Sequence, residues 1–299
     1  MNRNSPLAPA LTAHLVDQDW AAYGPREHET WNTLYRRQME LLPGRVTPAF
    51  LDGVDRLDLS TGGIPDLRHT NRRLQDLTGW TVVCVAGKIP DDVFFELLAN
   101  RHFPSGNFIR RPDELDYIEA PDIFHDLFGH VPMLTHPVFA DFIQEYGKAG
   151  RRALEIDALD MLSRLFWFTV EFGLMKTAEG LRIYGSGIVS SFSETQFCLD
   201  SPSSNLIDFD LARVMRTDYF IDDFQPTYFV IDDYDDLYRA TRSDLEGLYT
   251  SLRGRPLRAP GEIEVGDRIH RRGTQSHFLV HGKVSKLTLQ GGDARRAAM

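Results

Sequence analysis

The spacing of hydrophobic and polar positions divides the chain into helical segments and short strands. Apolar and aromatic residues recur every three or four positions over 28–42, which predicts an amphipathic helix that ends at a Pro-Gly pair. Helices are predicted in the same way over 66–77 and 91–100. The β-branched run over 80–86 lies between these two helices and predicts a short strand.

The middle of the chain has the most unusual pattern. One long helix is predicted over 153–175, and its second half is apolar on nearly every side, which is typical of a helix buried inside a larger protein. Two short strands are predicted at 181–184 and 228–231, and a further helix near 233–252. Several helices with a few short strands between them indicate a mainly α (α+β) fold.

Three regions of the chain differ in composition. Residues 20–252 are predicted to form one helical domain with a minor β-sheet. Residues 1–19 are polar and interrupted by prolines, which predicts a flexible N-terminal arm. Residues 253–299 contain ten Lys and Arg against four Asp and Glu, and the alternation at 261–289 predicts a small β-ribbon within this basic tail. A solvated extension is the favoured interpretation of the tail, ahead of a nucleic-acid-binding arm.

Composition excludes several classes of protein. The 299 residues carry a formal net charge of −10, which argues against wholesale binding of nucleic acid. The chain has no apolar run long enough to cross a membrane, and its start lacks the pattern of a secretory signal. Two cysteines cannot build a disulfide framework or a four-thiolate metal site. We therefore expect a cytoplasmic protein with reduced thiols.

Candidate chemistry begins with His125 and His130, which lie five residues apart. On a straight α-helix that spacing turns two side chains about 140° apart, whereas a spacing of four leaves about 40° between them. The two imidazoles can therefore share a ligand only if the backbone departs from an α-helix, and Gly129 and Pro132 make such a departure credible. Taken alone, the pair is more typical of structural histidines than of a metal site.

Glu171 is the only ionisable residue between Arg164 and Lys176, within the apolar stretch described above. An ionised carboxylate in such a helix is costly unless a cation or a metal compensates its charge. Pairing with Arg164 or Arg182 would also explain it, as would a protonated carboxyl with a raised pKa. A metal held by two histidines meets the same need, and two imidazoles with one carboxylate suit non-haem Fe(II) chemistry with oxygen.

Five segments of the chain resemble a known family. They are VAGKIPDDVFF at 85–95, PDIFHDLFGHVP at 121–132, FWFTVEFGL at 166–174, IYGSGIVSSFSE at 183–194 and FQPTYFV at 224–230. In these segments, and in their order and separations, the chain resembles the catalytic domain of the pterin-dependent aromatic amino acid hydroxylases, most closely their short bacterial members. The resemblance covers roughly residues 20–232 and is far more specific than one pair of histidines. It implies the catalytic-domain fold of that family.

The resemblance also implies cofactors, a substrate and the residues that contact them. Fe(II) would be held by His125, His130 and Glu171. A tetrahydropterin would contact Gly87, Lys88, Ile89, Asp91, Phe94, Asp126 and Phe166. The substrate, L-phenylalanine, would contact Arg110, Tyr117, Ile118, Pro121, Asp122, Trp167, Gly187 and Ser190. Within this set, Arg110 would bind the substrate carboxylate and Asp122 would orient that arginine, because a guanidinium pairs with carboxylates through two hydrogen bonds.

Some positions depart from the animal members of the family. Lys88, Asp126 and Phe166 stand where leucine, glutamate and tyrosine are usual, which leaves the natural reduced pterin open. The resemblance includes neither the regulatory domain nor the long tetramerising helix of those members. We therefore expect a monomer, with a dimer as the alternative.

Three functional hypotheses follow. The leading one is an Fe(II)- and tetrahydropterin-dependent monooxygenase that makes L-tyrosine from L-phenylalanine with O₂, or that acts on tyrosine or tryptophan by the same mechanism. The second is a zinc-dependent hydrolase that uses the same three ligands. The third is a non-catalytic binding protein that acts through its basic tail. The expected partners are small molecules, with no nucleic acid and no membrane.

Overall fold

The computed structural model describes residues 7–116 and 120–283. The α-helices in these ranges are α1 (Pro9–Thr12), α2 (Pro25–Leu41), α3 (Pro48–Arg56), α4 (Leu67–Thr78), α5 (Asp91–Ala99), α6 (Pro137–Glu155), α7 (Leu159–Phe166), α8 (Ser186–Val189), α9 (Phe192–Asp200), α10 (Leu211–Met215), α11 (Tyr234–Thr241), α12 (Leu245–Leu252) and α13 (Ser276–Val280). The strands are β1 (Leu15–Val16), β2 (Thr81–Val85), β3 (His102–Gly106), β4 (Leu174–Thr177), β5 (Gly180–Ile183), β6 (Asn205–Asp208), β7 (Thr227–Ile231) and β8 (Ile269–Arg271). Side chains from the helices and from both sheets share one large hydrophobic core, so the predicted mainly helical α+β fold is confirmed.

The strands form two small sheets. The first has the order β1-β2-β3, with β1 antiparallel and β3 parallel to β2, and α5 makes the crossover that the parallel pair requires. The second has the order β5-β4-β7-β6-β8. Its central strands β4, β7 and β6 are parallel, and the outer strands β5 and β8 run antiparallel to their neighbours. Every residue of β7 is buried, as expected for a parallel strand inside a sheet.

Two glycines allow α6 to lie against α5. A Cβ at Gly147 would overlap the backbone nitrogen of Ala99, and a Cβ at Gly150 would overlap the ring of Phe95. A backbone atom cannot move aside as a side chain can, so Gly147 sets the distance between these two helices.

The predicted single helix over 153–175 is wrong. α6 ends at Glu155, and Asp157 adopts a left-handed conformation (φ 53°) that an α-helix cannot contain. α7 follows, then a π-helical turn over Trp167–Glu171, and the chain enters β4. Asp is one of the few residues that adopt a left-handed conformation readily, and the pattern of apolar positions does not reveal where one does so.

The other predicted helices and strands are present, except that one predicted helix is divided into two. The helix predicted over 233–252 is interrupted, because Asp244 begins α12 by accepting a hydrogen bond from the backbone of Gly247. The helices predicted over 28–42 and 66–77 are confirmed as α2 and α4. The helix predicted to follow residue 90 is confirmed as α5, and the three predicted strands as β2, β5 and β7.

Both ends of the described chain pack against the domain, which differs from the predicted flexible arm and β-ribbon. Leu11 is buried against Val93 and Leu97 of α5, and β1 pairs with β2, because this segment brings apolar side chains to that surface. In the tail, β8 pairs with β6 in the larger sheet, and α13 buries Phe278. Alternation in a sequence does not identify the strand with which an edge strand will pair. The part of the predicted ribbon beyond residue 283 lies outside the described residues.

Candidate active site

Two π-helical turns carry the three candidate metal ligands. The first spans His125–His130, and the second spans Trp167–Glu171. Hydrogen bonds in a π-helix join residues five apart, so side chains at that spacing lie one turn above each other. His125 and His130 therefore face the same side, with their Nε2 atoms 3.1 Å apart. The departure from an α-helix that the spacing requires is thus present as a π turn.

Glu171 closes the second π turn and reaches both histidines. Its Oε1 lies 3.2 Å from Nε2 of His130, and its Oε2 lies 3.7 Å from Nε2 of His125. One ligand atom from each of the three residues lies within 4.8 Å of the other two, and the group could hold a metal ion. Arg164 and Arg182, the alternative partners of this carboxylate, donate instead to backbone carbonyls of their own segments.

The protonation of these side chains suits a cation. Burial lowers the pKa of His125 to about 4, so the imidazole is neutral at neutral pH. Burial acts to raise the pKa of Glu171, but the two neighbouring imidazoles and the Ser186 hydroxyl outweigh it and bring that pKa to about 2. A neutral imidazole and an ionised carboxylate are the forms in which these residues bind metals.

Ser190 and Ser186 fix the orientation of the ligands. Nδ1 of His125 lies 2.8 Å from Oγ of Ser190, whose hydroxyl donates to the carbonyl of Ser186 at 2.8 Å. Because the hydroxyl proton of Ser190 is used in that bond, Nδ1 of His125 is the donor, and its Nε2 is left unprotonated toward the other ligands. Oγ of Ser186 lies 2.9 Å from Oε2 of Glu171. Hydrogen bonds of this kind hold metal-binding side chains in one orientation.

Asp126 lies beside the ligands on the first π turn. Its carboxyl accepts a hydrogen bond of 2.8 Å from the backbone N–H of Gly106. Burial raises the pKa of Asp126 to about 7, although His130 and the Gly106 hydrogen bond act in the opposite direction. Burial therefore favours the neutral form of this carboxyl.

Arg110 and Asp122 form a buried pair next to the ligands. The two side chains are 6% and 0% exposed, and Nε and Nη2 of Arg110 each donate to a carboxylate oxygen at 2.9 Å. Asp122 also accepts from the backbone N–H of His125 at 3.0 Å, which connects the pair to the metal ligands. Among the residues that the structure describes, Nη1 of Arg110 makes only a 3.4 Å contact, with the carbonyl of Leu115. The guanidinium therefore keeps N–H donors for the carboxylate of a ligand.

A cavity of about 510 Å³ joins the metal ligands to this arginine. Of the predicted substrate contacts, it is lined by Arg110, Pro121, Trp167, Gly187 and Ser190, and Asp122 lies behind Arg110. The indole Nε1 of Trp167 donates to the side-chain oxygen of Gln225 at 3.1 Å, and its ring stacks on Tyr219 with centroids 4.3 Å apart. The predicted contacts Tyr117 and Ile118 lie outside the described residues.

The predicted pterin contacts lie on three segments near the ligands. The Phe166 ring lies 6.1 Å from the His130 ring and 6.2 Å from the Phe94 ring. Gly87, Lys88 and Ile89 form the turn between β2 and α5, and Asp91 is the first residue of α5. The turn begins with φ +147°, a conformation that favours glycine, and a Cβ there would meet open space. Asp126 accepts a hydrogen bond from the backbone N–H of Gly106, at the end of β3.

Several residues at the site were not predicted. Ser186, Gln225 and Glu194 lie in segments that carry the family resemblance, so the signal for them was present although no role was assigned. Glu194 lines the cavity, is buried, and accepts a hydrogen bond from the Tyr228 hydroxyl. Burial raises the pKa of Glu194 to about 8. Tyr219 had no signal, because a loop aromatic gives no periodicity.

The residues present fit a non-haem iron and a flat ring cofactor. Two imidazoles and one carboxylate converge from two π turns, and the hydrogen bond from His125 to Ser190 leaves a nitrogen lone pair directed at the cluster. The half-buried Phe94 ring and the open backbone around Gly87 offer stacking and amide hydrogen bonds, which suit a flat, amide-rich ring.

The chain is similar in sequence to one family of known proteins. The family described as "Biopterin-dependent aromatic amino acid hydroxylase" has a sequence model that matches residues 18–251. The "Phenylalanine-4-hydroxylase" of Caulobacter vibrioides is 54% identical over 282 residues, 94% of this chain and 96% of the relative. The protein of the same name from Ralstonia nicotianae is 52% identical over 269 residues, 90% of this chain and 85% of the relative.

Solved structures are similar over the same region. The structure of phenylalanine hydroxylase from Chromobacterium violaceum with bound oxidised Fe(III) has a TM-score of 0.84 at 50% identity, and the match covers 86% of this chain and 93% of that one. The iron- and phenylalanine-bound structure from the same organism has a TM-score of 0.82 at 49% identity, with coverage of 86% and 93%. The resemblance and the fold predicted from the sequence are confirmed.

Proposed function

Because the chain belongs to the family of biopterin-dependent aromatic amino acid hydroxylases, we propose that it is an Fe(II)- and tetrahydropterin-dependent monooxygenase that converts L-phenylalanine to L-tyrosine with O₂. The observation that carries the proposal is one cavity in which the metal ligands His125 and Glu171 lie beside Arg110. It combines a ligand set for oxygen chemistry with a cation for an amino-acid carboxylate. Family membership favours this function over the zinc hydrolase and over the binding protein.

A reduced pterin, when bound, would supply two electrons for the cleavage of O₂ at the Fe(II), so that one oxygen atom goes to the substrate ring and the other, as a hydroxyl, to the pterin. His125, His130 and Glu171 would hold the metal, because two imidazoles and one carboxylate are a ligand set that suits Fe(II) chemistry with oxygen. Ser190 keeps the His125 ring in one tautomer and one orientation, so the ligand nitrogen stays directed at the metal.

The substrate is positioned by groups on the cavity wall. Arg110 binds the amino-acid carboxylate with the N–H donors that Asp122 leaves free. The indole of Trp167, held by Gln225, and the ring of Pro121 flank the aromatic ring of the substrate. The substrate ring would thereby be held in the cavity that His125 and Glu171 line, which is how positioning contributes to the rate.

Buried aromatic side chains limit the access of water. The Phe103 ring lies 4.9 Å from the His130 ring, and Phe124 stacks on Phe128 at 4.8 Å behind the first π turn. Asp126, whose pKa burial raises to about 7, would contact a bound pterin, and the Phe94 ring would stack on it.

The test is O₂ consumption and product analysis with Fe(II), a tetrahydropterin and each aromatic amino acid in turn. We expect tyrosine from phenylalanine, lost in the Glu171→Gln variant and kept in the control Glu179→Gln, whose side chain is exposed on the β4–β5 turn. Hydroxylated product from tyrosine or tryptophan alone would replace the proposed substrate. Full activity of Glu171→Gln would refute the site.

We also propose a monomer in the cytoplasm, with residues 20–252 as its catalytic unit. Cys84 and Cys198 are both buried and unpaired, which agrees with a reducing compartment. Within the described ranges, none of the helices has the length and apolar character needed to cross a membrane. Light scattering on the purified protein tests the oligomeric state, and a mass near twice 34.1 kDa would contradict the monomer.

A further inference from the structure

One wall of the substrate cavity is a loop whose other side contacts the C-terminal segment. The loop, residues 218–224, connects α10 to β7 and contributes Ile221 through Phe224 to the cavity lining. Residues 276–283, which comprise α13 and the turn after it, contact this loop through polar and aromatic side chains. We call residues 276–283 the C-terminal clamp.

Two consecutive carboxylates of the loop are each bound by a side chain of the C-terminal clamp. Nε2 of His277 lies 2.8 Å from Oδ1 of Asp223, and both side chains are largely shielded from solvent, at 24% and 13% exposed. Nζ of Lys283 lies 2.6 Å from Oδ2 of Asp222, in a more open position. The Lys283 hydrogen bond lowers the pKa of Asp222. The basic tail and the acidic loop are therefore complementary in charge as well as in position.

Aromatic side chains extend the same contact. Phe278 is fully buried, with its ring 6.1 Å from Phe220 of the loop and 6.0 Å from Phe197 of α9. Phe224, which lines the cavity, stacks on Phe197 at 4.0 Å, and the His277 ring lies 5.2 Å from Phe224. The loop is thus packed on one side against a continuous aromatic cluster and faces the cavity on the other.

The C-terminal clamp is itself fixed to the core of the domain. The backbone N–H of His277 donates to Oγ of Ser203 at 3.0 Å. Gln275, the residue just before the C-terminal clamp, is buried. Its side-chain amide donates to the carbonyl of Pro226, immediately before β7, at 3.1 Å. The loop is therefore held against an anchored segment and not against a mobile end.

The charges of the loop matter because they border the site of an anion. Asp222 and Asp223 line the same cavity as Arg110, to which the substrate carboxylate binds under the proposed function. Oδ1 of Asp223 also accepts the backbone N–H of Phe224 at 2.8 Å, so this carboxylate stays at the cavity wall with or without the C-terminal clamp. Without a cationic or hydrogen-bonding partner from the C-terminal clamp, the charges of the two carboxylates would lower the potential at Arg110. Compensating these charges favours binding of the substrate carboxylate to Arg110.

We propose that the C-terminal clamp positions loop 218–224 and thereby sets the affinity of the cavity for its amino-acid substrate, with His277 and Lys283 as positioning residues. The proposal rests on the proposed function, because it takes the cavity as the amino-acid site. The family's sequence model ends its match at residue 251, so the C-terminal clamp lies beyond the part of the chain that the model covers.

The test uses the full-length, iron-loaded protein and substitutions that preserve side-chain length. Lys283→Met removes the charge, Lys283→Arg keeps it, and Arg268→Met is the control, because Arg268 forms an exposed ion pair in the same tail with Asp208, away from the loop. We expect Lys283→Met to raise the KM for phenylalanine about two- to fivefold, because the Lys283–Asp222 ion pair is exposed and such pairs contribute little. The kcat and the KM for the pterin should be unchanged. Lys283→Arg and the control should match the wild type.

His277→Gln tests the more shielded pair in the same assay, and hydrogen exchange of the loop provides a readout that does not depend on turnover. We expect faster exchange at residues 218–224 in Lys283→Met and in His277→Gln than in the wild type. Unchanged exchange in both variants would overturn the clamp. Faster exchange with an unchanged KM for phenylalanine would overturn its effect on the substrate. No phenylalanine turnover by the wild type would instead refute the proposed function, and with it the substrate role of the clamp.

Discussion

Replacing Ser190 by alanine should weaken metal binding without unfolding the protein. The Ser190 hydroxyl is the acceptor for Nδ1–H of His125, and it is 7% exposed, so water does not readily take its place. In Ser190→Ala the imidazole loses the partner that fixes its tautomer and orientation, while the three ligands themselves remain.

The size of the effect follows from the role of the hydrogen bond in orienting a metal ligand. Loss of such a bond weakens metal binding about 10- to 100-fold, which corresponds to about 1.4–2.8 kcal/mol. We therefore expect the dissociation constant for the metal to rise about 10- to 100-fold in Ser190→Ala.

The assay is a titration of the metal-free protein with Co(II) or Fe(II) against a competing chelator. Ser193→Ala is the matched control, because Ser193 is an exposed cavity residue whose hydroxyl makes, among the described residues, only a 3.5 Å contact with Ser191. Thermal unfolding of metal-free Ser193→Ala should match the wild type. Metal-free Ser190→Ala should stay folded with a melting temperature lower by several degrees, because a buried donor without a partner costs about 1–3 kcal/mol. A dissociation constant for Ser190→Ala within twofold of the wild-type value would refute the reasoning.

Three further predictions concern the substrate, the packing and a buried carboxyl. Arg110→Lys should raise the KM for phenylalanine about tenfold or more in steady-state assays, because an ammonium group cannot pair with Asp122 and the substrate carboxylate as a planar guanidinium does. Gly147→Ala should lower the free energy of unfolding in urea by about 1–3 kcal/mol, since its methyl group would overlap the backbone of Ala99. Burial raises the pKa of Glu194 to about 8 in the folded protein, above the 4.5 of a free side chain, so the folded state keeps a proton that the unfolded state releases between these values. Wild-type stability should therefore fall as the pH rises from about 5 to 8, by up to about 1.4 kcal/mol per pH unit, and Glu194→Gln should lose this component in urea titrations at several pH values.

Each of these predictions has a matched comparison. Arg111→Lys changes the neighbouring arginine, which is exposed and pairs with Asp113, and its KM should equal that of the wild type. Lys148→Ala lies next to Gly147 on the exposed side of α6 and should leave stability within about 0.5 kcal/mol. An unchanged KM for Arg110→Lys would contradict its role, and equal stability of Gly147→Ala would contradict the tight contact. Parallel pH profiles of wild type and Glu194→Gln would contradict a protonated carboxyl.

The sequence predicted the regular elements well and the irregular ones poorly, for physical reasons. α2, α4 and β2 follow from the period of their apolar residues, because one face of each is buried. The π turn at Trp167–Glu171 lies in a stretch that is apolar in nearly every direction, where no period marks a change of backbone. The break at Asp157 depends on one left-handed residue, which the period of apolar positions does not mark. β8 could not be foreseen as part of the larger sheet, because its partner β6 lies far away in the sequence.

The residues of the candidate site could be predicted from the sequence only in part. Glu171 stands out because an ionised side chain in apolar surroundings needs a compensating charge. His125 and His130 are more typical of structural histidines when taken alone, and the family resemblance identified them as ligands. Ser190 and Gln225 act through hydrogen bonds to other side chains, and such partners are set by three-dimensional proximity alone. The family resemblance supplied Ser190, whereas Gln225 required the structure.

The two π turns make the site sensitive to chain length. A π turn contains one residue more than the α-helical turn it replaces, so its geometry depends on the number of residues as much as on their identity. Deleting one residue between His125 and His130, or between Trp167 and Glu171, would rotate the following backbone by about 100° relative to the preceding part, although no ligand would be removed. Single-codon deletions in these short intervals should therefore be as damaging as loss of a ligand, and a deletion scan would locate the metal centre without any substitution of a histidine or glutamate.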